Sequence, residues 1–151
     1  MAYGLIAAPH AARNRSGELG QKDTTQQTVL LVDDDAALRS SLEFILGIEG
    51  YAVRAYSRGR ELLDDTNLPD QGCLVIDQRL PDIEGLKVID ALRARSVRLP
   101  AILITTNPTR ALQRRAQEAN VALVEKPLIT GTLFQRIGAA LKIAASHRAK
   151  P

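Results

Sequence analysis

From residue 28 onward the apolar positions of this chain fall into two alternating patterns, short continuous runs and stretches at helical spacing. Val29-Leu30-Leu31-Val32 is a run, after which Leu38, Leu42, Ile45 and Leu46 recur at helical spacing up to Gly50. Residues 52–56 alternate like a strand, and Ser57 is a candidate cap for a helix reaching about Asp65. Cys73-Leu74-Val75-Ile76 is the next run, followed by helical spacing at Leu86, Ile89 and Leu92. Residues 101–104 form a fourth run, residues 110–119 a polar helix, and residues 122–124 a short fifth strand. Leu133, Ile137, Leu141 and Ala144 mark the last helix, which is expected to end near 145. Strand and helix thus alternate five times. Apolar runs without polar alternation imply strands covered on both faces, as parallel sheets require. With right-handed crossovers the expected fold is α/β, a doubly wound five-stranded parallel sheet with helices on both faces.

Composition narrows the class. Apolar residues make up 45% of the 151 residues and aromatics only 3%, so the core must be aliphatic. One cysteine, Cys73, excludes an internal disulfide and a multi-thiolate zinc site. No apolar run approaches the roughly 18 to 20 residues that cross a bilayer. No basic residue precedes the brief apolar stretch at residues 2–8, so a secretory signal is not expected. The expected setting is cytoplasmic, without a membrane partner. The net charge of +3 sits in the expected tails. Arg13, Arg15 and Lys22 outweigh Glu18 and Asp23 in a flexible leader over residues 1–27, and Arg148 and Lys150 belong to a short basic tail over residues 146–151. The body, residues 28–145, is neutral, so no nucleic-acid partner is expected. Arg110, Arg114 and Arg115 are expected on a solvated helix face, with partner docking as the lesser alternative.

Chemistry concentrates where the apolar runs end. The first stops at Asp33-Asp34-Asp35, the third at Asp77, the fourth at Thr105-Thr106 and the fifth at Glu125-Lys126-Pro127. In a parallel sheet these ends share one edge, where ligands bind in doubly wound folds. Two carboxylates about 4 Å apart repel by roughly 4 kcal/mol at an effective dielectric near 20, so a positive charge must offset them. Oxygen donors alone favour a hard cation such as Mg²⁺. Each residue also has a purely structural explanation. Asp35 suits the cap of the following helix, Thr105 a β-branched strand position and Lys126 a solvated loop.

Together, Val-Asp-Asp-Asp (32–35), Val-Ile-Asp-Gln-Arg-Leu-Pro-Asp-Ile-Glu-Gly-Leu (75–86), Leu-Pro-Ala-Ile-Leu-Ile-Thr (99–105) and Glu-Lys-Pro (125–127) resemble the receiver domain of two-component response regulators. The resemblance covers about residues 28–145. Gly-Tyr-Ala-Val (50–53) and Gly-Cys-Leu-Val-Ile-Asp (72–77) are most similar to the nitrogen-fixation regulator type of receiver. It implies a flavodoxin-like receiver fold and a phosphoprotein in which Asp77 accepts the phosphoryl group. By the same resemblance Asp33, Asp34, Asp77 and the Arg79 backbone carbonyl hold Mg²⁺, Thr105 is the switch hydroxyl, and Lys126 contacts the phosphoryl group. It further implies a cis Lys126-Pro127 bond. Leu123 stands where receivers often carry an aromatic switch residue, Thr106 where a small residue is common, and Asn120 where a glycine is usual near the end of the fourth helix. Residues 107–109 form a connection about one residue shorter than usual.

The expected function is that of a single-domain response regulator, not an enzyme. It would take phosphate from a sensor histidine kinase or a histidine phosphotransfer protein and signal to an unknown downstream protein. The alternative is a phosphorelay shuttle or phosphate sink between histidine-containing proteins. An Asp-nucleophile phosphatase would need Asp-x-Asp, which Asp77-Gln78-Arg79 lacks. Homodimerisation through the fourth-helix face is compatible with the residues, which do not demand it.

Overall fold

The structure, a computed structural model, describes residues 26–149. The leader expected over residues 1–27 therefore lies almost wholly outside the described residues, as does the end of the basic tail. The elements are β1 (Thr28–Val32), α1 (Ala36–Ile48), β2 (Ala52–Tyr56), α2 (Gly59–Asp64), β3 (Cys73–Asp77), α3 (Gly85–Ala94), β4 (Ala101–Thr105), α4 (Arg110–Glu118), β5 (Ala122–Glu125) and α5 (Thr130–Ala149). The five strands pair in parallel in the order β2-β1-β3-β4-β5. The chain winds from β1 outward to β2, then back across the centre toward β5, which is the expected doubly wound topology.

Burial explains why the runs become strands. β3 and β4 are buried along their whole length, and β1 is buried from Val29 onward. Alternate side chains of these strands enter two separate cores. Leu30, Val32, Leu74, Ile76 and Leu103 meet Leu62 of α2, Leu86, Ile89 and Leu92 of α3, and Leu112 and Ala116 of α4. Val29, Leu31, Val75, Ile102 and Ile104 meet Leu42 and Leu46 of α1 and Leu133, Ile137 and Leu141 of α5. Each fully buried Leu or Ile contributes about 1.5–3 kcal/mol, so a one-residue register slip in β1 or β3 would disrupt both layers.

Two boundaries differ from expectation. Arg58, not Ser57, is the N-cap of α2, and its side chain makes no capping bond. The Asp82 carboxylate, from the loop after β3, accepts the Gly59 N–H at 3.1 Å and the Arg60 N–H at 2.8 Å instead. Ser57 turns its N–H and hydroxyl toward Glu61. Helix α5 runs to Ala149, so residues 146–149, expected as tail, are helical. At the fourth helix, Asn120 adopts φ 59° and Asn107 φ 48°. Asparagine tolerates this left-handed conformation, which accounts for its standing in a glycine's place after α4. Among the described residues, no helix is long and apolar enough to cross a membrane.

Candidate phosphoryl-acceptor site

Each strand carries its chemistry to the same edge because the strands extend to the expected polar residues. Asp77 is the last residue of β3 and pairs in register with Ile104, while Thr105 closes β4 opposite Glu125 of β5. The Thr105 carbonyl accepts the Lys126 N–H at 2.8 Å, which ties the lysine backbone to the end of β4. The Lys126-Pro127 bond is cis, as expected. Asp35 caps α1 by accepting the N–H groups of Ala37 and Leu38, both at 3.1 Å. Its structural explanation therefore holds, and that cap fixes the turn presenting Asp33 and Asp34.

The geometry brings the expected residues together. Carboxylate oxygens of Asp33, Asp34 and Asp77 lie within 4.8 Å of one another, Asp33 and Asp77 buried and Asp34 exposed. Lys126 Nζ is 2.8 Å from Asp77 Oδ2, and the Arg79 N–H donates to Asp77 Oδ1 at 3.0 Å. Asp33 Oδ1 accepts the Asp35 N–H at 2.8 Å, whereas Asp33 Oδ2 is buried with no hydrogen-bond partner. A buried carboxylate oxygen without a donor is costly, and this one belongs to a cluster of hard oxygen donors. That donor set fits a small divalent cation. Burial raises the Asp33 pKa, the Asp35 N–H opposes it, and the charges of Asp77 and Asp34 push it further up against Lys126. Burial alone would lower the Lys126 pKa, but the hydrogen bond and charge of Asp77, with the charges of Asp33 and Asp34, raise it on balance. Lys126 thus stays cationic.

Asp77 lies in a cavity of about 550 Å³ shared with Arg79, Thr106, Asn107 and Lys126. Thr105 lines it and is 5% exposed. Leu123, in the aromatic's usual place, is half-buried against the core of α3 and α4. Two features escaped sequence analysis. Glu84, the N-cap of α3, pairs with Arg115 of α4 at 3.7 Å across the rim. Gln78 accepts the Leu86 N–H through its side chain and the Gly85 N–H through its carbonyl, seating α3 beneath Asp77. Gly85 permits this approach, since a Cβ there would lie 2.4 Å from the Asp77 carbonyl oxygen.

Comparison with known proteins agrees with the geometry. The response regulator receiver domain model matches residues 29–138. The C4-dicarboxylate transport transcriptional regulatory protein DctR of Rhodobacter capsulatus is 34% identical over 82% of this chain and 62% of its own length. The transcriptional regulatory protein FixJ of Azorhizobium caulinodans is 33% identical over 79% of this chain and 57% of its own. The chain thus spans about three-fifths of these relatives. The crystal structure of FixJ-N superposes with a TM-score of 0.71 at 29% identity, covering 78% of this chain and 94% of that one. This chain belongs to the response regulator receiver domain family, a signalling family in which phosphorylation and Mg²⁺ are general features.

Proposed function

We propose that this receiver accepts a phosphoryl group on Asp77 from a histidine kinase or histidine phosphotransfer protein and signals through altered protein contacts in the cytoplasm. The observation that carries this is the Asp77 carboxylate, buried at a strand end with Lys126 Nζ at 2.8 Å beside the partnerless oxygen of Asp33. Asp33, Asp34, Asp77 and the Arg79 carbonyl would hold Mg²⁺, which supplies positive charge against the phosphoryl oxygens. A carboxylate is a weak nucleophile, so transfer depends on positioning and charge neutralisation. The Arg79 N–H and Lys126 orient the Asp77 carboxylate for attack on phosphorus. As the new P–O bond forms, the donor's P–N bond breaks, and the imidazole nitrogen keeps the electron pair and takes a proton from solvent. Lys126 then meets the added oxygens as a charge-assisted donor, and the Thr105 hydroxyl serves as the switch at the end of β4.

Treatment with acetyl phosphate tests acceptance. A mass gain of about 80 Da should require Mg²⁺ and disappear with EDTA. A gain that ignores Mg²⁺ would refute the metal's role. The relay alternative separates cleanly. Phosphorylated protein incubated with histidine phosphotransfer domains returns the label only if it is a shuttle.

A further inference from the structure

Asp33 is fully buried, so each of its polar groups has to find a partner inside the protein. Its N–H donates to the carbonyl of Tyr56, the last residue of β2, at 3.1 Å. Its Oδ1 accepts the Asp35 N–H at 2.8 Å. Its carbonyl oxygen accepts an N–H of Arg39 Nη1 at 2.7 Å, and only Oδ2 is left without a donor. Two of these three partners are backbone groups, whereas Arg39 acts through its side chain. Its place in the chain is adverse for a helix. Arg39 is the fourth residue of α1, whose first turn holds no acidic residue, and a cation so near a helix N-terminus opposes the helix dipole. Helical side chains lean toward the N-terminus, so the half-buried Arg39 reaches back over the Asp35 cap to Asp33. Its own N–H donates to the Asp35 carbonyl at 2.8 Å. Among the described residues it pairs with no carboxylate. The guanidinium is thus given to one backbone carbonyl of the acidic turn.

Resting on the reading above that Asp33 and Asp34 hold Mg²⁺, we propose that Arg39 is a positioning residue for that cation. The carbonyl it holds belongs to the planar peptide unit joining Asp33 to Asp34, so fixing that plane aims both carboxylates. A purely electrostatic role would have the opposite sign. A guanidinium near a cation site repels Mg²⁺, so removing it for its charge alone would tighten binding. Removing a bond that orients a ligand weakens binding instead, by about 10–100-fold for partners of this kind. The direction of the change therefore tells the two roles apart.

The test measures Mg²⁺ binding to the full chain by isothermal titration calorimetry, with Asp33→Asn identifying the signal that belongs to this site. Arg39→Met should weaken Mg²⁺ binding by about tenfold. Arg39→Lys, which keeps a donor on a shorter stem, should recover part of that loss. The Mg²⁺ concentration that half-saturates the rate of the acetyl phosphate mass gain should rise by the same factor in each variant. Thermal melts without Mg²⁺ establish that the variants fold, and Arg39→Gln takes the place of Arg39→Met if that variant does not. Unchanged Mg²⁺ affinity overturns the proposal, even if the Mg²⁺-free urea midpoint falls, because that pattern marks a merely structural bond. Tighter binding overturns it in favour of charge repulsion. Binding in Arg39→Lys no better than in Arg39→Met overturns it as well. In these three cases a wild type that binds Mg²⁺ and gains phosphate leaves the reading of the acidic site standing. A wild type that binds no Mg²⁺ at this site overturns that reading and the role of Arg39 together.

Discussion

Two groups of carboxylates, one at the strand ends and one at the two ends of α2, are built in opposite ways. At the flank, Asp65 accepts the Tyr56 hydroxyl at 2.6 Å and the Asn67 N–H at 2.9 Å, and Asp82 accepts three backbone N–H groups. Their pKa values are lowered. The Tyr56 hydrogen bond leads for Asp65, and for Asp82 the backbone N–H groups outweigh an opposing burial effect. In the centre, Asp33 is fully buried, keeps one oxygen without a donor and has a raised pKa caused first by burial. The flanking carboxylates hold the loops in place, whereas Asp33 keeps an oxygen without a donor at a cost to stability. A buried oxygen without a donor, not acidity of the sequence, separates Asp33 from the structural aspartates.

The largest expected contrast is chemical. Asp77→Asn should lose the acetyl phosphate mass gain completely, while Asp82→Ala should retain it. Retention of the adduct in Asp77→Asn would remove the central group's assigned role.

Next comes the cation. Without Mg²⁺, Asp33→Asn should raise stability by about 1–3 kcal/mol, because the substitution removes a buried charge one of whose oxygens lacks a donor. Mg²⁺ at a hundred times its Kd should stabilise the wild type by about 2.7 kcal/mol and leave Asp33→Asn unmoved. Urea midpoints with and without Mg²⁺ measure both effects. Equal protection of the two proteins would place the cation elsewhere.

Asp82→Ala should instead destabilise the fold by about 1–2 kcal/mol, the usual cost of a lost helix cap, whether or not Mg²⁺ is present. A urea midpoint unchanged in this variant would mean that the flank owes nothing to its hydrogen bonds. Two aspartate substitutions thus move stability in opposite directions.

The same contrast explains what was legible in the sequence. Asp33, Asp77, Thr105 and Lys126 could be placed because each ends an apolar run, and a parallel sheet gathers such ends without any knowledge of side-chain contacts. Asp35 was legible because its cap is local, reaching only to Ala37 and Leu38. Asp82 was not, because the N–H groups that it caps lie 22 and 23 residues earlier. Local propensity therefore pointed to Ser57, and a tertiary contact overrode it. Glu84 and Arg115 likewise meet only once α3 and α4 are packed. The end of α5 was misjudged for a different reason. No Gly or Pro interrupts residues 139–150, so nothing in that stretch marks a stop.

A smaller effect concerns how long a phosphoryl group on Asp77 would last. Arg79 and Thr106 are exposed and line the cavity that holds Asp77, where they should obstruct the approach of water. Asn107 is a polar neighbour able to orient a water, so the effects oppose one another. Steric shielding should dominate, since in-line attack tolerates little misplacement. Arg79→Ala and Thr106→Ala should each speed spontaneous dephosphorylation by a few-fold to about tenfold, or at most about 1.4 kcal/mol of barrier. Intact mass followed over time checks this, and unchanged or longer lifetimes in both variants would show that shielding is absent.

The smallest prediction returns to the flank and asks whether its hydrogen bonds behave as bonds. Burial first, and then the bond to Asp65, push the Tyr56 pKa up to about 12, against about 10 for tyrosine in an unfolded chain. A folded-state pKa above the unfolded one means that the stabilisation is complete below about pH 10. It then declines as pH rises through about 12, where the ionised phenolate can no longer donate to Asp65. Tyr56 is partly exposed, so solvent screening reduces the worth of this bond to about 1 kcal/mol. Comparing wild type with Tyr56→Phe cancels the titration of lysines and of the other tyrosines. The stability difference from urea unfolding should be about 1 kcal/mol at about pH 8 and should shrink toward zero at about pH 11.5. A difference independent of pH would mean that Tyr56 stabilises the flank by packing alone. Asp65 would then lack its strongest donor, and the contrast between the two carboxylate groups would rest on Asp82.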